Sequence, residues 1–78
     1  WAYYLIEDYQ RAEEFLKRAV LLMPDDPIVN DHYGDILWKL DRKIQARYFW
    51  LSVLQMEDAE DDMIKKVNNK LLNGLENS

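Results

Sequence analysis

The feature of this chain that most constrains its fold is an internal match between two blocks that lie 34 residues apart. A shift by that distance superimposes residues of similar size along both blocks. The aligned pairs are Ala2/Ile36, Tyr3/Leu37, Tyr4/Trp38, Ile6/Leu40, Ala12/Ala46, Phe15/Phe49, Leu16/Trp50, Ala19/Val53, Val20/Leu54 and Leu22/Met56. A period of about 34 residues is typical of helix–turn–helix units that cannot bury their apolar faces alone and stack on neighbours. We therefore expect an all-α stack of helix pairs.

The composition agrees with such a stack. The 78 residues include three Trp, five Tyr and two Phe, which supply a large core for a single small domain. Only two Gly and two Pro leave little sequence for turns, so long helices with short connections are expected. The absence of cysteine excludes disulfides and thiolate metal sites, and it leaves the redox compartment open.

The charge pattern bears on the partners of the chain. The formal net charge is −5 and the ten Lys and Arg residues are dispersed, so neither nucleic acid nor an anionic membrane is expected as a partner. No apolar run approaches the roughly 18–20 residues that span a bilayer. Because the chain begins at Trp1, inside a repeat unit, we expect a fragment without its targeting region. The compartment, cytoplasmic or periplasmic, stays open.

Helix boundaries follow from turn and capping residues. The polar pair Glu7-Asp8 predicts the end of a first helix, and Pro24 predicts the end of a second. Asp26 is expected to cap the next helix with Pro27 at its first position, and Gly74 to end the last one. The predicted helices are 1–6, Gln10–Met23, Ile28–Leu40, Lys43–Met56 and Asp61–Asn73. They group into a partial repeat (1–26), a full repeat (27–60) and a capping helix (61–78).

Apolar residues three and four positions apart predict the buried faces of these helices. On the second and fourth predicted helices the buried residues are Ala12, Phe15, Leu16, Ala19, Val20 and Met23, and Ala46, Phe49, Trp50, Val53 and Leu54. The last helix has one apolar stripe and polar sides, as expected of a helix that ends an array. The acidic run at 57–62 indicates a helix start, since a calcium loop would need a glycine and an oxygen spacing that are missing.

Several residues together resemble the tetratricopeptide (TPR) signature: Tyr3, Tyr9, Ala12, Ala19, Pro24, Gly34, Leu37, Ala46 and Trp50. In that signature a small residue of the first helix, here Gly34, faces a small residue of the second, here Ala46. The resemblance covers nearly the whole chain. The chain is similar in particular to terminal repeats of bacterial TPR proteins. It implies stacked antiparallel helix pairs in a fragment of a right-handed superhelix. Asn30, Asp41 and Asp58 depart from the usual pattern.

The resemblance implies a binding scaffold rather than an enzyme, with no cofactor or metal. TPR arrays hold peptide segments in a concave groove lined by the first helix of each repeat. The implied groove residues are Trp1, Tyr4, Leu5, Ile28, Asp31, Asp35, Trp38 and Lys39. Helical geometry independently places positions 28, 31, 35 and 38/39 on one stripe. An acidic stripe with aromatic residues suits a segment that carries Lys or Arg beside an apolar anchor, and it disfavours acidic tails.

Other roles stay open at this point. The chain is either a scaffold, a structural end-cap that binds nothing, or an accessory domain of an upstream enzyme. His32 lies beside Asp31 and Asp35, but no nucleophile or second His is near in sequence, and a lone His on a solvated helix side is usually polar surface. Trp38 and Tyr4 either anchor a ligand or contact an upstream repeat. Self-association through the uncovered edge at residues 10–23 is a further expectation.

Overall fold

The computed structural model describes the backbone of residues 2–74 and the side chains of residues 8–74. Its helices are α1 (Ala2–Leu22), α2 (Pro27–Lys39), α3 (Lys43–Leu54) and α4 (Asp61–Asn73). No strand occurs between residues 2 and 74, so the all-α prediction is confirmed for this part of the chain. Within the same residues, no helix combines the length and the apolar character that crossing a membrane requires.

The predicted caps of α2 and α4 are confirmed. Asp26 Oδ1 accepts hydrogen bonds from the backbone N–H groups of Ile28 at 2.9 Å and Val29 at 3.3 Å, and Pro27 occupies the first helical position. Both N–H groups would otherwise be unpaired at the start of a helix. Gly74 ends α4 with a φ of 70°, a left-handed conformation that glycine adopts without steric cost.

The turn between α2 and α3 depends on an aspartate in a left-handed conformation. Asp41 has a φ of 63°. Its N–H donates to the carbonyl of Trp38 at 3.0 Å, and the N–H of Arg42 donates to the carbonyl of Leu37 at 2.9 Å. These two bonds form a Schellman motif in which Asp41 replaces the more common glycine. The turn reverses the chain within three residues and places α3 directly against α2.

The predicted break at Glu7-Asp8 is wrong, because α1 is one continuous helix from Ala2 to Leu22. A shift by 34 residues aligns Glu7 with Asp41, the left-handed residue in the turn after α2. A left-handed conformation costs about 1–2 kcal/mol for most residues, and short Asp or Asn side chains tolerate it better than Glu. No Gly or Pro lies between residues 1 and 23 to force a turn. The sequence predicts two helices in the partial repeat at 1–26, but its described residues form one.

The core forms where α2 and α3 approach each other most closely. Gly34 makes this approach possible, because a methyl group there would lie 2.5 Å from Trp50 Cδ1 and 3.1 Å from the carbonyl oxygen of Ala46. The expected close approach of Gly34 to Ala46 is therefore present. Gly34 lies even closer to the ring of Trp50. The buried core residues are Tyr33, Leu37, Ala46, Trp50, Val53 and Val67.

The predicted buried face of α1 is only partly confirmed. Leu16 and Val20 pack against the core, but Phe15 is 71% exposed and Met23 48% exposed. The reason is that α1 packs mainly on α2, and no described element covers its other apolar side. An apolar pattern identifies a face that prefers burial, but it does not supply the element that buries it.

Helices that follow each other in the sequence run antiparallel, whereas α2 and α4 run in the same direction. Tyr33 contacts Phe49, and further along α2 the Trp38 ring lies under Lys43, so α2 and α3 are antiparallel. Asp35 contacts Lys70 and the next turn of α2 reaches Gly74, so α2 and α4 are parallel. The starts of α2 and α4 consequently lie at the same end of the molecule.

Candidate peptide-binding surface

The structure divides the predicted groove residues into three groups. Trp1 lies outside the described residues, and the side chains of Tyr4 and Leu5, in α1, also lie outside the described set. The other five lie on α2: Ile28, Asp31, Asp35, Trp38 and Lys39. Among these, Asp31, Asp35 and Trp38 come together beside α4. Ile28 lies one turn before Asp31, at the start of α2, and Lys39 is half-buried at the end of α2.

Asp31 and Asp35 share one cation, the ammonium group of Lys70 on α4. Lys70 Nζ donates to Asp31 Oδ1 at 2.9 Å and to Asp35 Oδ1 and Oδ2 at 2.9 and 3.1 Å. Trp50 Nε1 also donates to Asp35 Oδ1, at 3.1 Å. The Asp31 side chain keeps only 13% of its surface exposed. Both carboxylates are therefore paired with Lys70 within the fold.

Burial and pairing together set the pKa values in this cluster. Burial raises the pKa of the Asp35 carboxyl, and this effect outweighs the opposing hydrogen bond from Lys70. For Lys70, burial alone lowers the pKa, but the hydrogen bonds to Asp31 and Asp35 together raise it above its usual value. Lys70 is therefore protonated at neutral pH.

His32 lies close enough to Asp31 and Asp35 to form a three-residue cluster of metal-ligand type, but the surroundings of this cluster do not favour a metal ion. One ligand atom each from Asp31, His32 and Asp35 lies within 4.8 Å of the others. However, the Lys70 ammonium already lies 2.9 Å from both carboxylates. A metal ion there would meet a positive charge at close range, so pairing with Lys70 explains the cluster better than metal binding.

Trp38 packs within the described fold instead of standing free on the stripe. Its ring lies 5.3 Å from that of Trp50, with 30° between the ring planes. Lys43 Nζ lies 5.0 Å from the centre of the Trp38 ring, and the backbone at Gly74 packs against the ring edge. These contacts use much of the surface that a ligand anchor would offer. The stripe at Asp31–Trp38 is therefore largely closed by α4.

An open groove lies at the other end of α2, between the α1–α2 turn and the start of α4. We call it the end groove. Its volume is about 540 Å³, which is within the range of ligand pockets. Its apolar lining comes from Met23, Pro24, Pro27, Ile28 and Met63, and Ile28 is 55% exposed. Ile28 is thus the predicted groove residue that the structure places at an accessible apolar surface.

The charged lining of the end groove is entirely acidic. It consists of Asp25, Asp26, Asp58 and Glu60, and no Lys or Arg among the described residues lines the groove. Asp26 caps α2, but within the described part of the chain the side chains of Asp25, Asp58 and Glu60 have no hydrogen bond or ion pair. An adjoining hollow adds Glu57 to the same surface. The groove is therefore lined by apolar side chains, which we call its base, and by carboxylates, which we call its rim.

Asn30 fixes the turn that forms one wall of the end groove. This residue is only 3% exposed, although a large apolar residue is usual at its position in the resembled signature. Its Nδ2 donates to the carbonyl oxygen of Pro24 at 3.1 Å and to that of Asp26 at 2.9 Å. A buried amide with two hydrogen bonds is well satisfied and orients both carbonyl groups. Asn30 therefore stabilises the turn in one conformation.

The sequence did not indicate the end groove or the Lys70 contact. The spacing of Met23 predicts a core residue, and the acidic run at 57–62 indicates only a helix start. The available signal was the acidic character of both turns, with Asp25 and Asp26 before α2 and Glu57, Asp58 and Glu60 before α4. Comparisons with protein-family models, curated proteins and solved structures found no match to this chain.

Proposed function

We propose that this chain is a protein–protein interaction module of the TPR type that holds a peptide segment on the side where α2 and α4 adjoin. Two features of the packing support this proposal. Gly34 allows a close antiparallel pair of α2 and α3, and Lys70 joins α4 side by side to α2. The TPR resemblance implies the same arrangement for the first helices of successive repeats.

The observation that carries the proposal is the open end groove. It combines exposed apolar side chains with carboxylates that have no partner in the described fold. Keeping apolar surface in water lowers stability, so a contiguous apolar surface with a polar rim is typical of a binding site. A catalytic role is not proposed, because Lys70 bridges the carboxylates beside the single histidine.

A structural end-cap is the second candidate function, and the surface of α4 favours it. Val67 on its inner side is fully buried, whereas Lys65, Lys66, Asn68 and Asn69 are exposed. A terminal helix with a polar outer face is what the end of a repeat array requires for solubility. This role does not account for the open apolar groove at the start of the same helix.

Selection from a displayed random-peptide library distinguishes the two functions. A peptide-binding module is expected to enrich sequences that bind the parent and lose affinity for the Ile28→Ser variant. Ile44→Ser is the matched control, because Ile44 is also exposed but lies outside the end groove. An end-cap would enrich no peptide above background. In that case the proposed function would be wrong.

A further inference from the structure

We infer that the end groove binds a partner segment in which one large apolar side chain is flanked by Lys or Arg. This inference rests on the proposed function and adds the chemistry of the ligand. It is carried by the juxtaposition of an apolar base with a rim whose ionisable groups are all carboxylates.

The apolar part of the ligand follows from the base of the groove. Met23 and Met63 have flexible, polarisable side chains that adapt to different apolar shapes, and Ile28 adds a rigid branched surface between the two turns. A volume of about 540 Å³ accommodates a large aliphatic or aromatic side chain together with adjoining backbone. Burying such a side chain supplies most of the affinity.

The basic part of the ligand follows from the unpaired carboxylates at the rim. The side chains of Asp25, Asp58 and Glu60 make no hydrogen bond or ion pair within the described fold, so their charges remain available to a partner. Lys or Arg beside the apolar anchor would gain favourable interactions at the rim and would be attracted over long range by the net charge of −5. An acidic segment would meet like charges, which disfavour binding.

A second groove shows why this inference is specific to the end groove. It lies between α1 and α3, has a volume of about 560 Å³ and contains Glu13, Lys17 and Arg42. Glu13 already accepts a hydrogen bond from the Tyr33 hydroxyl at 3.0 Å and lies 4.0 Å from Arg42. The charges there are of both signs and partly paired, so they indicate no preferred ligand charge.

The test uses three synthetic peptides of equal length with a central Leu flanked by Lys, Glu or Ser. Binding is followed by backbone amide chemical shifts at low and at physiological salt. We expect the Lys peptide to bind most tightly, to shift the amides of Asp25, Ile28, Asp58 and Met63, and to weaken as salt increases. Replacing its Leu by Ser should abolish the binding, because the apolar anchor is lost.

Two matched double variants locate the effect of charge. Asp58→Asn/Glu60→Gln removes two rim carboxylates, and we expect about fivefold to tenfold weaker binding of the Lys peptide at low salt. Glu14→Gln/Asp41→Asn removes two carboxylates outside the groove and should change the affinity less than twofold. Equal losses in both variants would show general attraction by net charge and overturn the inference.

The remaining outcomes separate this inference from the proposed function. Preferential binding of the Ser or Glu peptide at the same amides would keep a peptide-binding module but overturn the basic ligand. Concentration-dependent shifts of these amides without any peptide would identify a second copy of the chain as the occupant and also overturn it. If neither these peptides nor any library peptide binds, the proposed function itself fails.

Discussion

Lys70 Nζ lies 2.9 Å from Asp35 Oδ1 and so joins the last described helix, α4, to α2 across 35 positions of the sequence. The same nitrogen lies 2.9 Å from Asp31. This contact decides which part of the α2 surface is used inside the protein and which part is available to a partner. The Asp31–Asp35 segment is closed, and the start of α2 is open.

Replacing Lys70 by Met should lower the free energy of unfolding by about 1–3 kcal/mol, because two half-buried carboxylates would lose their shared cation. Urea denaturation would measure the change. Lys66→Met on the exposed side of α4 is the control and should change stability by less than about 0.5 kcal/mol. Equal effects of the two variants would show that the pairing contributes nothing.

Stability should fall at alkaline pH through Tyr33. Burial and the hydrogen bond to Glu13 raise the pKa of Tyr33 from 10.0 to about 12. The folded state therefore holds this proton more tightly than the unfolded state. The resulting contribution to stability is fully present below pH 10 and is lost as the pH rises through about 12. Lys70 contributes in the same direction above its ordinary pKa.

Denaturation of the Tyr33→Phe variant as a function of pH checks this assignment. The variant should lose stability at neutral pH, and its stability should fall less steeply than that of the parent between pH 10 and about 12. Tyr48→Phe is the control because Tyr48 is exposed. If Tyr48→Phe flattened the alkaline slope as much as Tyr33→Phe, the assignment would be contradicted.

Gly34→Ala should destabilise the protein by about 1–3 kcal/mol, because its methyl group would overlap the Trp50 ring. This sign is the reverse of the usual one, since Gly→Ala inside an exposed helix stabilises by about 0.5–1 kcal/mol. Asn68→Ala at an exposed position of α4 should leave stability unchanged or slightly increased. A more stable Gly34→Ala variant in thermal melts would refute the close approach of α2 and α3.

Asn30→Ala should cost about 1–3 kcal/mol, because it removes the buried amide that donates to the carbonyl of Pro24. The variant should also bind peptides more weakly than its loss of stability explains, since one wall of the end groove is released. Titrations at a temperature where parent and variant are both folded would measure this second effect. Unchanged affinity would show that the turn holds its shape without Asn30.

Self-association, if it occurs, should use the uncovered side of α1. Phe15 is 71% and Leu22 81% exposed, and they are two turns apart on one face. Sedimentation at high concentration should show less dimer for Phe15→Ser/Leu22→Ser than for the parent, with helicity unchanged. Ile44→Ser on α3 should leave the dimer intact. A dimer that persists in the double variant would have to use another surface.

Short-range chemistry made much of the fold predictable from the sequence. Asp26 and Gly74 act within one turn of their own position, so the start of α2 and the end of α4 follow from local capping rules. The continuity of α1 was not predictable in this way. Glu7 and Asp41 differ by one methylene group, and the choice between turn and helix depends on about 1–2 kcal/mol of backbone conformation.

The candidate site was less predictable because it is assembled from distant segments. Helical spacing places Asp31 and Asp35 on one face of α2, because such spacing is a local property. Their pairing with Lys70 depends on how α4 lies beside α2, which no local pattern specifies. The end groove likewise requires Met23, Ile28 and Met63 to meet at one end of three helices.

The turn held by Asn30 has a consequence for the energetics of recognition. Its carbonyl groups are oriented and α2 is capped by Asp26 in the absence of any ligand. This wall is therefore preorganised, and its backbone loses little conformational entropy when a partner binds. The ordering cost falls mainly on the partner segment. A partner that is already held in its bound conformation before the encounter should therefore bind more tightly than a flexible one of the same sequence.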